Sequence, residues 1–81
     1  MKPAVLAAIE AERAKQDARF GDHRWVPDFL WLAILTEETG EVARALQDRG
    51  DLHGELVQVA AVAVAWLEAI DAPRLTVHHR A

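Results

Sequence analysis

Residues 35–46 read LTEETGEVARAL and set three carboxylates, Glu37, Glu38 and Glu41, into a run that is otherwise mostly apolar. A fourth, Glu55, follows further along, with Gln58 three residues beyond it. Side-chain oxygens grouped in this way suit a hard divalent cation, Mg²⁺ or Mn²⁺, which can in turn hold a phosphorylated anion. The chain contains no cysteine, so disulfides and thiolate metal sites are excluded and any metal must be held by oxygen or imidazole.

The spacing decides whether these acids belong together. At about 100° per residue, Glu37, Glu38 and Glu41 fall within an arc about 100° wide, shared with Leu30, Ile34 and Ala45 and bordered by Trp31. A solvated charge run would lie opposite the apolar face, whereas these acids lie beside or within it. Glu55 falls between Val62 and Trp66 on the wheel of the following helix, again on an apolar stripe. The segment DRGD, residues 48–51, supplies a glycine and an aspartate suited to a tight turn between two helices. Residues equidistant from the centre of such a hairpin are level with one another. Glu41 with Glu55, and Glu38 with Gln58, are both centred on position 48. Carboxylates converging in this way raise one another's pKa values unless a cation neutralises them.

The elements that must carry the acids follow from the same pattern. Sixteen alanines and few aromatics favour an all-α fold. A first helix is expected from Pro3 to about Arg19, with Val5, Ile9 and Phe20 along one side. The stretch FGDHRWVPD, residues 20–28, reads as a loop, and a second helix spans about Asp28 to Gln47. A third runs from the turn to about Ala69 and ends at the DAPR segment with Pro73. Residues 71–81 form a tail without clear periodicity, in which His78 and His79 are expected to be solvated.

At 81 residues the chain is a single domain with little core to stabilise it, and the third helix is apolar almost all round. Three short helices cannot cover it, so a homo-oligomer is expected, two hairpins forming a four-helix bundle. A net charge of −4 with no basic stripe argues against nucleic-acid binding. Residues 56–70 are too short to span a bilayer and contain Gln58 and Glu68, so they are expected in a protein core rather than a membrane. Glu10 and Glu12 interrupt the early apolar run, so no secretory signal is expected and the chain reads as cytoplasmic.

Over about residues 28–70 the chain resembles the all-α nucleoside triphosphate pyrophosphohydrolases of the MazG type, related to the dimeric dUTPases. Their motif is EExxE, a spacer, then ExxD. Here it reads EETGE (37–41), thirteen residues, then ELVQ (55–58), with Gln58 in place of the aspartate. The resemblance implies Mg²⁺-dependent cleavage of a nucleoside triphosphate between its α and β phosphates, giving the monophosphate and pyrophosphate. It implies Glu38, Glu41 and Glu55 as metal ligands, Glu37 as a further ligand or the group orienting the attacking water, and Gln58 as an altered fourth ligand. It also suggests a homodimer or homotetramer. Trp31 is the candidate for contact with the base, and Arg44, with His23 and Arg24, for contact with phosphates. The alternative is a non-catalytic helical interaction or regulatory module, the feature in its favour being Gln58.

Overall fold

A computed structural model describes residues 1–21 and 25–72. Among these the protein is all-helical, with α1 over Pro3–Phe20, α2 over Asp28–Asp48 and α3 over Leu52–Asp71. The boundaries lie within two residues of those expected from periodicity. His23, Arg24, Pro73, His78 and His79 lie outside the described residues.

Local chemistry accounts for the helix ends. Pro3 sits in the first turn of α1, where its missing N–H is no loss. The Asp51 side chain caps α3 by accepting a 2.9 Å hydrogen bond from the Gly54 N–H. The turn between α2 and α3 departs from expectation in one respect. The left-handed residue is Arg49, at φ 56°, and not the adjacent glycine. Gly50 instead donates to the Ala45 carbonyl at 2.9 Å and closes the helix end.

Helix α3 is the centre of the fold. Both α1 and α2 pack on it, while α1 and α2 do not pack on each other. Over its full 20 residues α3 is longer than the expected apolar run, and by length and composition alone it could cross a membrane. In the fold it is the helix that the other two share. The core among the described residues is thin: Trp31, Val62, Ala65 and Ala69 form one cluster, flanked by Val26, Ile34, Leu35 and Trp66. No large side chain among them is fully buried.

Trp31 and Trp66 stack across the hairpin with ring centroids 6.5 Å apart and planes at 10°. These two positions are equidistant from a centre between residues 48 and 49. That agrees with the centre expected for the acidic pairs. The Trp66 indole N–H also donates to Asp28 at 2.9 Å, tying the start of α2 to the end of α3. Helix α1 is tethered differently. Arg13 reaches Glu68 on α3 at 2.7 Å while also pairing with Asp17 at 3.0 Å.

Candidate functional site

Because α1 and α2 both pack on α3 and leave each other free, a groove runs between them. Its floor is α3, with Gln58, Val62 and Ala65. One wall is α2, with Trp31, Ile34, Glu37 and Glu38. The other is α1, with Glu12, Lys15, Gln16, Arg19 and Phe20. The groove has two adjoining parts that share Gln16, Phe20 and Glu38. The larger, of about 460 Å³, is mostly apolar, and the smaller, of about 370 Å³, is evenly mixed, with charged residues on its walls, and holds Glu38 beside Gln58.

Glu38 lies where the two parts meet. On the α2 wheel it points between Trp31 and Ala45, the two residues of that helix that are buried. One of its carboxylate oxygens is buried without a hydrogen-bond partner. Its pKa is raised, first by burial and then by the charges of Glu55, Glu37, Glu41 and Glu12. The strongest of those charges, Glu55, comes from the facing helix, as the hairpin register requires. Glu41 and Glu55 are half-buried and Glu37 is exposed at the groove edge.

The donor chemistry fits a hard cation, since every candidate ligand offers oxygen and Glu38 offers one that has no other partner. The side chains nevertheless stand apart: among the described residues no three acidic or histidine groups are gathered as a ready-made metal cage.

Trp31 is only 4% exposed, a core residue that presents part of its surface to the apolar half of the groove. Arg44 is exposed and lies about 120° round α2 from Glu38, one turn beyond Glu41. Of the candidates, Trp31, Glu37, Glu38 and Gln58 line the groove, whereas Glu41, Arg44 and Glu55 line neither part of it.

Sequence reasoning missed the wall supplied by α1. Glu12, Arg13 and Gln16 recur at helical spacing between Ile9 and Phe20, so polar groups again occupy an apolar stripe. The same test that singled out Glu38 would have found them. Comparison with known family models, with curated proteins and with solved structures returns no match.

Proposed function

We propose that the protein is a Mg²⁺-dependent nucleoside triphosphate pyrophosphohydrolase of the MazG-like kind, acting on the cytoplasmic nucleotide pool as a homodimer or homotetramer. One observation carries this reading: a buried, unpartnered carboxylate oxygen of Glu38, amid the charges of four further glutamates, at the junction of an apolar pocket and one walled by charged residues. A nucleotide has the same two-part character.

Glu38, Glu41 and Glu55 would hold Mg²⁺ (or Mn²⁺), with the Gln58 amide oxygen as a neutral fourth donor. A bound Mg²⁺ supplies charge neutralisation at the phosphates and an acidified water. Glu37, exposed at the groove edge, would be a further ligand or the group that orients the attacking water. Lys15 and Arg19, on the opposite wall of the smaller part, donate to phosphate oxygens. The base enters the apolar part against Trp31, Phe20 and Val26. Because the groove wall facing the phosphates is acidic, binding of an anion there depends on the cation.

The test is pyrophosphate release across a panel of ribo- and deoxyribonucleoside triphosphates, with Mg²⁺ or with chelator. Turnover that requires Mg²⁺ and falls at least about 100-fold in Glu38→Gln is expected. Mg²⁺ should also raise the melting temperature of wild type, and the rise should vanish in Glu41→Gln. Gln58→Asp restores a charge level with Glu38 and should lower the Mg²⁺ concentration needed for half-maximal rate.

Gln58 favours a second reading, a non-catalytic helical module that has lost a ligand. Under it, wild type releases no pyrophosphate from any nucleotide. Inactivity of both wild type and Gln58→Asp, with no metal-induced stabilisation of either, would overturn both the enzymatic reading and the metal site.

A further inference from the structure

The hairpin has a second face, behind the groove. The Glu68 side chain, which ties α3 to α1, lies about 130° round that helix from the line of Leu52, Leu56, Ala63 and Leu67. On α2 the corresponding line runs through Phe29, Leu32, Thr36, Thr39, Ala43 and Leu46, spaced 3, 4, 3, 4 and 3 residues apart. That is the spacing of a coiled-coil seam, and it contains no charged residue. It is also solvent-facing: Phe29 is 76% exposed, Leu32 55%, Leu46 64%, Leu56 50% and Leu67 61%. The two threonines do not make the seam polar. Thr36 and Thr39 each donate their hydroxyl to a backbone carbonyl one turn earlier, Leu32 and Leu35, at 2.8 Å, and so are free to present their methyl groups.

We propose that this face docks a second copy of the chain, related by a two-fold axis that crosses the hairpin perpendicular to its helices, so that α2 lies antiparallel to the α2 of its mate. The pattern itself selects the occupant, because it is self-complementary. Reversed about a point between residues 37 and 38, the α2 seam pairs Phe29 with Leu46, Leu32 with Ala43 and Thr36 with Thr39. The stacked tryptophans fix the level of α3 against α2, and that level puts the same axis between residues 59 and 60. There Leu52 pairs with Leu67 and Leu56 with Ala63. Both helices therefore repeat the same outer layers, large on large at the ends and leucine on alanine next, and the threonines fill the centre on α2. A two-fold axis parallel to the helices would instead lay α2 on the α3 of the mate, where the level set by the tryptophans leaves Phe29 one residue out of step with Leu67 and Leu32 two residues out of step with Ala63.

The area is sufficient. The large apolar side chains of the two seams expose on the order of 700 Å² per protomer, close to the roughly 800 Å² that each partner contributes to a standard interface. The interface gives the homo-oligomer proposed above a face and an axis. It rests on that oligomeric reading and on none of the proposed chemistry.

Sedimentation velocity across a concentration series, followed by cysteine cross-linking, tests the proposal. Wild type should be a dimer or a multiple of it at tens of micromolar, and Leu32→Glu and Leu56→Glu should each weaken association at least 100-fold. Should either variant unfold, the cross-links decide. The chain has no native cysteine. Phe29→Cys/Leu46→Cys should oxidise to a covalent dimer, whereas each single variant should not, because seventeen residues of helix hold identical positions about 25 Å apart across the axis. A monomer at every concentration would overturn both the oligomeric reading and this interface. A dimer that withstands both glutamates, or that cross-links through Phe29→Cys alone, overturns the interface and leaves the oligomer standing.

Discussion

The two faces of the α2–α3 hairpin are composed in opposite ways. The groove face carries Glu37 and Glu38 in its lining, with Glu41 and Glu55 half-buried beyond it and close enough to act on Glu38, while the rear face leaves Phe29, Leu32, Leu46 and Leu67 in water. A hairpin built to be a soluble monomer would show the reverse, with apolar side chains covered and carboxylates solvated. Both departures are unfavourable in the isolated chain. Burial and neighbouring charges disfavour ionised Glu38, and exposed leucines forgo the hydrophobic stabilisation that covering them would give. Each would be relieved by the binding proposed above, of a cation on one side and of a second copy on the other.

The largest expected effect falls on the residue that separates the two faces. Trp31→Ala removes a 4%-exposed indole and its stack on Trp66, and should cost about 3–5 kcal/mol in urea unfolding. A loss under about 1 kcal/mol would mean that the faces are not held apart by this core.

Glu38→Leu sharpens the comparison from the groove side. Replacing a carboxylate that has a buried, unpartnered oxygen by an apolar group of similar size should stabilise the metal-free protein by on the order of 1 kcal/mol. The pH dependence has a definite sign. The Glu38 pKa is higher in the folded chain than in the unfolded one, so between the two values the folded state binds the proton and the unfolded state has lost it. Stability of the metal-free wild type should therefore fall as pH rises from the ordinary glutamate value, about 4.3, through the raised one. Urea midpoints in chelator at pH 5 and pH 7 measure this, and the contribution should be absent in Glu38→Leu.

Two smaller changes address the turn that sets both faces at a common level. Asp51→Ala removes the cap on α3 and should destabilise by about 1 kcal/mol. Arg49→Gly relieves a left-handed residue and should raise stability by roughly 0.5 kcal/mol, read as a small upward shift of the thermal midpoint. If Arg49→Gly instead destabilised the chain, the arginine side chain would be contributing more than its backbone geometry indicates.

Much of this arrangement was legible from residue types. Proline, glycine and the apolar period located three helices to within two residues, and the symmetry of the acids about position 48 anticipated the register that Trp31 and Trp66 display. Glu38 beside Gln58 was likewise legible, because the levels of a hairpin follow from its turn. The placement of Arg44 was not. Its position relative to a groove depends on where a third helix docks, and a wheel for α2 alone carries no such information.

Sequence by itself determined the helical periods, the all-oxygen donor set and the antiparallel pairing of α2 with α3, since each depends on local geometry or on neighbours in the chain. Tertiary structure decided which side of the hairpin α1 covers. That single packing choice turned one face into a groove walled by Glu12, Lys15 and Arg19 and left the other open. The choice rests on contacts such as Arg13 with Glu68, 55 residues apart, between groups that no local period connects.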